Sequence, residues 1–469
     1  MLKLSFYGGA QEVTGANYLL ESDPSISSGQ ATKLLVDCGL FQGSKIAEDK
    51  NRAPFDYDPK SINALFVTHS HIDHIGRIPK LVKEGFGGTI YSTPPTKDLA
   101  EIMLIDSLGV LEKEAQRDNK EVFYNQEDVR QAMSQWQAID YHQEFEVQDF
   151  KVNFKNAGHI LGSAMIEIIY GGATSVGGSR TSVPIKIVFT GDLGNPPAPL
   201  LRPPEEVNDA DFLIIESTYG DKVHEDRKER KIKLERAIED AVKAGGVLMM
   251  PAFSLERTQE ILFELNDLVE HGRIPQVPIF LDSPLAIMAT EIYKKYENYF
   301  NQEAKYVINS GDEIFKFPGL KMTKTTEESK SINEIPAPKV IIAGSGMSNG
   351  GRIIHHERRY LSDPKNTLLL VGYQSAGSLG RILQDGAKSI TILGDKIEVR
   401  AKIEVIRGYS AHPDQEGLVE FVQKSAETLK QVFVVQGESS SSLFFVQRVR
   451  DYLGLNAQSP KYGDSIQLL

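Results

Sequence analysis

Four side chains that can bind a metal ion occur within six residues of this sequence. Residues 68–74 read T-H-S-H-I-D-H and follow a short apolar run. Imidazole and carboxylate groups are the ligands that a borderline cation such as Zn²⁺ prefers. His69 and His71 are spaced to direct both rings at one ion, while Asp73 and His74 can face a second ion nearby. The segment therefore predicts a two-metal hydrolase.

Two further candidate ligands stand beside glycine residues later in the chain. His159 lies in A-G-H-I-L-G-S, and Asp192 lies in T-G-D-L-G. Flanking glycines let the backbone turn tightly and expose a ligand. A carboxylate can bridge two cations, which a neutral imidazole cannot do. Taken alone, Asp192 would more often cap local N–H groups in a turn, so its selection as a ligand depends on the neighbouring motifs.

These residues must be positioned by strands, because short apolar runs repeatedly end in polar or glycine residues. Such runs occupy 34–37, 64–67, 187–192, 212–216, 340–344 and 368–372. They are typical of buried strands, and in α/β folds ligands bind at the carboxyl ends of strands. Segments 96–116 and 226–244 have the pattern of helices and alternate with the strands. The sequence therefore predicts an α/β fold.

The composition is that of a globular protein with two or three domains. The 469 residues are 41% hydrophobic and 25% charged. No apolar run approaches the roughly 18 residues of a membrane span, and the N-terminus lacks the features of a signal peptide. Cys38 is the single cysteine, so a disulfide within the chain is excluded. This favours a protein of the reducing cytoplasm, and we expect Cys38 to be a small buried residue. The net charge of −12 argues against coating nucleic acid by bulk charge but allows a local basic groove.

The order of the motifs along the chain is distinctive. D-C-G at 37–39 precedes the histidine-rich segment, and A-G-H at 157–159 and T-G-D at 190–192 follow it. Later motifs are E-S-T-Y-G-D at 216–221, P-A-F-S-L-E-R-T-Q at 251–259, D-S-P-L-A at 282–286, G-S-G-M at 344–347, G-G-R at 350–352, G-Y-Q at 372–374, G-S-L-G-R at 377–381 and S-A-H-P-D at 410–414. The first group resembles the metallo-β-lactamase fold, and the second resembles its β-CASP branch of nucleic-acid-processing hydrolases. The resemblance extends over nearly the whole chain.

The resemblance implies an αββα metallo-β-lactamase sandwich formed by residues 1–207 and 397–469, with an α/β β-CASP domain inserted at 208–396. The chain resembles the compact prokaryotic homologues of the cleavage-and-polyadenylation endonucleases. The resemblance implies a zinc-dependent ribonuclease that hydrolyses single-stranded RNA endonucleolytically, 5′→3′ exonucleolytically or both. Two ions about 3.5–4 Å apart would activate a hydroxide and polarise the phosphoryl oxygens. The expected partner is RNA rather than a membrane, and the resemblance allows a homodimer.

Roles at the matching positions follow from the same resemblance. Asp73 is a catalytic carboxylate in this scheme, and Asp37 would support the ligands from behind. His412 would protonate the leaving oxygen while Glu216 holds its ring, since histidine can donate a proton near neutral pH. The implied metal ligands are His69, His71 and His159 for one zinc ion, Asp73 and His74 for the other, and Asp192 bridging both.

The chain departs from the family pattern at one position. That pattern has a histidine after a strand, in V-H-G-E, whereas residues 435–438 here read V-Q-G-E. The family histidine completes the second zinc site, and the amide oxygen of Gln436 is a poorer zinc ligand than imidazole. Three outcomes stay open: a weakly held second zinc in a working enzyme, Mn²⁺ or Mg²⁺ in its place, or an RNA-binding subunit without catalysis. Hydrolysis of a small ester or thioester is a weaker alternative, because such a substrate would not require the β-CASP-like motifs.

Glycine-rich loops in the later motifs are candidates for phosphate binding. The loop at 344–351 follows a predicted strand, but its spacing differs from the dinucleotide-binding G-x-G-x-x-G motif. His355 and His356 follow on a predicted helix, where we expect a surface or groove position rather than metal binding. The candidate RNA or phosphate contacts are Arg352, Ser375, Ser378 and Arg381.

Overall fold

The computed structural model describes residues 2–23, 31–43, 45–171, 183–224, 229–375 and 377–469. The chain divides into two units. The first contains Met1–Pro196, Pro203–Val223 and His412–Leu469, and the second contains Pro197–Arg202 and His224–Ala411.

The first part of the first unit, up to Glu216, contains eleven strands and five α-helices among the described residues. Its strands are β1 (Leu2–Phe6), β2 (Tyr18–Ser22), β3 (Lys33–Val36), β4 (Ala64–Phe66), β5 (Thr89–Ser92), β6 (Trp136–Ala138), β7 (Phe145–Val147), β8 (Phe150–Asn156), β9 (Ala164–Tyr170), β10 (Ile185–Phe189) and β11 (Phe212–Glu216). Its helices are α1 (Lys45–Arg52), α2 (Ile72–Ile75), α3 (Ile78–Lys83), α4 (Pro94–Asp118) and α5 (Gln126–Ser134). The Thr93 hydroxyl accepts a backbone N–H at the start of α4, and left-handed Asn119 ends that helix. The helix expected at 96–116 therefore lies within α4.

The second unit alternates helices and strands. Its helices are α6 (Arg230–Ala244), α7 (Arg257–Glu270), α8 (Pro284–Lys295), α9 (Gln302–Asn309), α10 (Thr326–Ser331), α11 (Ile353–Tyr360) and α12 (Leu379–Gln384). Its strands are β12 (Val247–Pro251), β13 (Ile279–Leu281), β14 (Leu320–Met322), β15 (Lys339–Ala343), β16 (Thr367–Val371), β17 (Ser389–Ile392), β18 (Asp395–Glu398) and β19 (Lys402–Ile406). Gly245, with φ +65°, ends α6 where the sequence predicted. Residues 225–228, at the start of that predicted helix, lie outside the described residues.

The chain then returns to the first unit. The remaining elements are α13 (Gln415–Gln423), β20 (Gln431–Val435), α14 (Ser439–Leu453), β21 (Ala457–Gln458) and β22 (Ser465–Gln467). None of the described helices is long and apolar enough to span a membrane.

Two sheets pack face to face in the first unit. Among the described residues, one seven-stranded sheet has the order β22-β1-β2-β3-β4-β5-β6 and the other has the order β21-β20-β11-β10-β9-β8-β7. Strands of both sheets contribute to one apolar core, which contains Phe66, Ile166 and Phe433. Because side chains alternate along a strand, Leu65 points to the opposite face of β4 and packs with residues of α3, α4 and α5. Helices α13 and α14 cover the outer face of the other sheet. This order of layers is an αββα sandwich, so the predicted fold is confirmed.

The second unit is built on one parallel sheet. Its described strands have the order β14-β13-β15-β12-β16-β19, and every neighbouring pair is parallel. Strands β12, β15 and β16 are buried along their whole length, as is usual for parallel sheets with helices on both faces. Their carboxyl ends lead into the loops that contain the later sequence motifs.

The two units divide after Val223 and after Ala411, whereas the sequence placed domain boundaries at 207/208 and 396/397, which stay a prediction. Strand β11 pairs in parallel with β10 and β20, so the chain stays in the first unit as far as Val223. Strand β19 pairs with β16, which keeps the chain in the second unit as far as Ala411. Strand β11 thereby joins a sheet whose next strand, β20, lies far away in the sequence.

Candidate metal centre

The predicted metal ligands of the first unit follow the ends of strands in both sheets. The histidine-rich segment comes after β4 and continues into α2. Asp37 follows β3, and His159, Asp192 and Gln436 follow β8, β10 and β20. Strand ends thus bring together side chains that are up to several hundred residues apart.

Three imidazole rings and one carboxylate converge at the first site. The Nδ1 atom of His71 lies 3.1 Å from His69 Nε2 and 3.3 Å from His159 Nε2. The Oδ2 atom of Asp192 lies 3.4 Å from His69 Nε2 and 3.5 Å from His159 Nε2. Ligand atoms of these four residues all lie within 4.8 Å of one another. Three nitrogens and one carboxylate oxygen form a donor set that suits a tetrahedral divalent ion.

The electrostatics of this site favour the forms that bind metal. Burial, followed by the influence of His69, holds the pKa of His71 well below its usual value. Burial and His412 lower the pKa of His159 in the same way. Burial raises the pKa of Asp192, but neighbouring histidines lower it more, so that it lies well below the usual value. Neutral imidazoles and an ionised carboxylate are the protonation states that coordinate a cation.

Asp37 supports the ligands through hydrogen bonds. Its Oδ1 accepts the Thr68 backbone N–H at 2.8 Å, and its Oδ2 accepts the Thr68 hydroxyl at 2.8 Å. The Thr68 Oγ1 also lies 3.0 Å from His69 Nδ1, and Asp37 Oδ2 lies 2.7 Å from His74 Nδ1. Asp37 therefore orients one ring at each predicted metal position, as carboxylates behind metal-binding histidines commonly do.

The glycine of the D-C-G motif is required by a close contact. A Cβ atom on Gly39 would lie 1.5 Å from the Asp73 carbonyl oxygen, so that no other residue fits there. Cys38 is fully buried, as expected from the sequence.

The second predicted site has a different arrangement. The Nε2 atom of His74 lies 3.4 Å from Asp192 Oδ1 and 3.9 Å from Asp73 Oδ2. The Nε2 atom of Gln436 lies beside this pair, 2.7 Å from Asp192 Oδ1 and 3.0 Å from His74 Nε2. Burial lowers the pKa of His74, but Asp192 and Asp37 raise it well above its usual value. This position therefore attracts positive charge, and an amide group lies next to it.

Glu216 and His412 form a pair beside the first site. Both carboxylate oxygens of the fully buried Glu216 lie 3.0 Å from His412 Nδ1, and Oε1 also accepts the Leu193 N–H at 2.7 Å. The rings of His412 and His159 are 4.6 Å apart between centroids. Burial lowers the pKa of His412, but Glu216 raises it more, and the resulting pKa is about 9. Glu216 thus orients the His412 ring through its Nδ1.

The candidate RNA contacts of the second unit have partners within that unit. Two guanidinium nitrogens of Arg352 donate to Asp282 Oδ1 at 2.7 Å and to the backbone oxygens of Thr323 and Lys324 at 2.9 Å. The half-buried Arg381 pairs with Asp385, the residue that caps the end of α12.

The two candidate serines belong to the loop before α12. The hydroxyl of Ser378 accepts the Arg381 N–H as the helix cap, and it donates to the Ser375 carbonyl at 2.8 Å. The Ser375 hydroxyl contacts the sulfur of Met347 at 3.1 Å. Both residues therefore shape this loop, and phosphate binding by them stays a prediction.

Asp282 is the centre of a buried network to which the sequence analysis assigned no role. Its two carboxylate oxygens accept four side-chain hydrogen bonds, each 2.7 Å long, from Arg352, His356, Thr323 and Ser329. His356 is 3% exposed, so the expected surface position is wrong for this residue, whereas His355 is exposed. The D-S-P-L-A and G-G-R motifs contain Asp282 and Arg352, but spacing alone does not show that they pair.

Three family models match successive parts of the chain. They describe a metallo-beta-lactamase superfamily domain over residues 26–175, a Beta-Casp domain over 258–383 and a Zn-dependent metallo-hydrolase RNA specificity domain over 396–460. A ribonuclease of Thermus thermophilus, TTHA0252, is 37% identical over 438 residues, which are 93% of either chain. The chain belongs to the β-CASP branch of the metallo-β-lactamase superfamily.

Other β-CASP relatives include proteins with different names. An RNase J-like protein of Methanocaldococcus jannaschii is 33% identical over 96% of both chains. Transcription termination factor FttA of Methanosarcina mazei is 30% identical over the whole of this chain and 72% of its own length. A crystal structure of a protein of unknown function from Enterococcus faecalis V583 has a TM-score of 0.54 over 99% of each chain at 13% identity, which shows similarity of fold alone.

Proposed function

We propose that this β-CASP protein is a zinc-dependent ribonuclease that hydrolyses phosphodiester bonds of single-stranded RNA in the cytoplasm. The observation that carries the proposal is the convergence of three imidazoles and a carboxylate next to the Glu216–His412 pair. The names of the Thermus and Methanocaldococcus relatives support RNA as the substrate. Three nitrogen donors favour zinc over Mg²⁺, which prefers oxygen ligands.

The chain's own residues divide the chemistry between them. His69, His71, His159 and Asp192 would hold the metal. A bound divalent ion supplies a Lewis acid, which lowers the pKa of water and neutralises negative charge on a phosphate. Asp73 is the additional carboxylate at this centre, with its side chain 19% exposed.

His412 would provide the proton that the leaving oxygen requires. Its Nδ1 faces Glu216, which leaves Nε2 to transfer the proton. With a pKa of about 9, the ring is protonated at neutral pH. Glu216 is buried and bonded to the Leu193 N–H, so it can hold the ring without itself reaching the substrate.

The test is hydrolysis of labelled single-stranded RNA by the purified full chain. We expect cleavage that EDTA abolishes and that added Zn²⁺ restores, with Mn²⁺ and Mg²⁺ tested in parallel. Labels at either RNA end distinguish endonucleolytic from 5′→3′ exonucleolytic products. The absence of chelator-sensitive cleavage with all three metals would refute the proposal.

A second candidate function is RNA binding without catalysis. The contacts of Gln436 favour it, because an amide occupies the position next to His74 and Asp192. This alternative predicts that the protein retains single-stranded RNA in a filter-binding assay while the RNA stays intact. Cleavage in the preceding assay would exclude it.

A further inference from the structure

The side chain of Gln436 is held in place by its surroundings. Its backbone N–H donates to the Gly9 carbonyl at 2.6 Å, and the Thr218 hydroxyl donates to its carbonyl at 3.1 Å. The residue is 2% exposed and has φ +50°. A Cβ atom on Gly9 would lie 2.5 Å from the Tyr18 hydroxyl and 3.2 Å from Gln436 Cγ, so glycine is needed there. The amide group of Gln436 is therefore aimed at a defined position.

That position lies between two groups that normally bind a cation. The Gln436 nitrogen lies 2.7 Å from Asp192 Oδ1, and only the nitrogen of the amide can donate to a carboxylate. The same nitrogen lies 3.0 Å from His74 Nε2. The Nδ1 atom of His74 lies 2.7 Å from Asp37 Oδ2, so the ring presents its Nε2 to the amide group. The NH₂ group thus donates to Asp192 and also lies against His74, the two groups that would bind a second ion.

We propose that the amide of Gln436 takes the place of the second cation, so that this centre binds a single divalent ion. The inference rests on one part of the proposed function, which is that the first site binds a metal ion. A second ion at His74 and Asp192 would have to break both amide hydrogen bonds. It would gain at most the amide oxygen of Gln436, which is a weak ligand for zinc.

The remaining residues near the second position do not compensate. Asp73 Oδ2 is 3.9 Å from His74 Nε2. The four ligands of the first site have ligand atoms that all lie within 4.8 Å of one another. Among the described residues, no group of three or more such ligands contains Asp73 or His74. The donor set of the second position therefore does not fit a tightly bound ion.

The two oxygens of Asp192 have separate tasks in this arrangement. Oδ2 faces His69 and His159 in the first site, at 3.4 and 3.5 Å. Oδ1 accepts the amide of Gln436. Gln436 is thus a positioning residue, which fixes the orientation of Asp192 as a ligand of the single ion.

Counting metal ions tests this inference without reference to activity. The full chain is stripped with EDTA, loaded with excess Zn²⁺, desalted and measured by native mass spectrometry and elemental analysis. We expect one zinc per wild-type chain and two per chain of Gln436→His, since imidazole restores a strong ligand. Loading with Co²⁺ gives a second readout, because absorption in the visible range should rise with a second ion in the variant.

A matched control separates the site from the added histidine. Gln447→His introduces a histidine at an exposed position of α14 and should keep one zinc per chain. If Gln436→His does not fold by circular dichroism, Gln436→Glu provides a carboxylate of nearly the same size and should also bind a second ion. Two zinc ions in the wild type, or one in both folded Gln436 variants, would overturn the inference. A wild type that binds no zinc would overturn this inference and the proposed zinc dependence together, whereas two ions would leave the proposed function intact.

Discussion

Replacing Asp282 by asparagine tests whether the second unit depends on a buried anion. The carboxylate is fully buried and lies within 2.7 Å of the donors of Arg352, His356, Thr323 and Ser329. Asparagine has nearly the same shape but replaces one oxygen by a donor. Two of the four donors would then face an NH₂ group, and the positive charge of Arg352 would lose its counterion. We expect the variant to fold but to be less stable.

The size of the effect follows from the proton affinity of the carboxylate. Burial raises the pKa of Asp282, but hydrogen bonds from His356 and the other donors lower it from 3.8 to about 2. This difference favours the anion in the folded state by about 2.4 kcal/mol. Solvent screening near Arg352, which is 19% exposed, reduces that value. We therefore expect the free energy of unfolding to fall by about 1–2 kcal/mol.

The pH dependence has a defined sign. Because the folded-state pKa is lowered, the stabilisation is complete above the unfolded-state pKa near 4 and is lost as the pH falls towards 2. The difference between wild type and Asp282→Asn should therefore be constant from about pH 5 to 7. It should shrink to roughly half near pH 3. Comparing the two proteins at each pH cancels the titration of groups that do not contact Asp282, whereas His356 lies 2.7 Å from it and can contribute a difference of its own.

Urea unfolding followed by far-UV circular dichroism measures the difference. Hydrogen exchange of peptides from β13 and α11 assigns it to the second unit. Asp385→Asn is the control, since the Asp385 side chain is 58% exposed in an i, i+4 pair with Arg381, and it should cost no more than about 0.5 kcal/mol. If the two variants are equally stable, or if the effect of Asp282→Asn is independent of pH, the buried carboxylate does not stabilise the second unit as argued.

Two predictions concern the first unit. Asp37→Asn should weaken zinc binding about 10–100-fold. The Thr68 hydroxyl would lose its acceptor, and His69, which contacts that hydroxyl, would be held less firmly. An unchanged dissociation constant for Zn²⁺ would contradict this prediction. His412→Asn should lower kcat for RNA cleavage by about 10²–10⁴ while the zinc content and RNA binding are retained. The exposed His271→Asn serves as its control, and equal kcat values in both variants would exclude His412 as the proton donor.

The sequence was most informative about functional residues that directly follow a strand. The apolar runs before residues 69 and 192 became β4 and β10, and the order of motifs predicted the αββα sandwich. A ligand that directly follows a buried strand can be placed from sequence alone, because the strand end fixes its location. The grouping of the first-site residues before any distance was known came from the resemblance to the metallo-β-lactamase fold.

Contacts between distant side chains could not be predicted in this way. His356 was expected at a surface or groove position because it follows a glycine-rich loop on a predicted helix, but a carboxylate 74 positions earlier holds it in the interior. Arg352 was expected to face RNA, yet Asp282 and two backbone oxygens bind its guanidinium group. A charged residue is either solvated or paired, and its sequence context does not distinguish these states.

Gln436 shows where sequence and structure contribute different parts of one argument. The sequence identifies the residue as a change at a ligand position, and ligand chemistry then predicts only that a second ion binds less well. The structure shows that the amide nitrogen, rather than the oxygen, faces Asp192 and His74. A donor at this point bonds to Asp192 and takes the place next to His74 that a second cation would otherwise occupy. The substitution is therefore more than the loss of a ligand, because it also removes the need for the second ion to stabilise these buried groups.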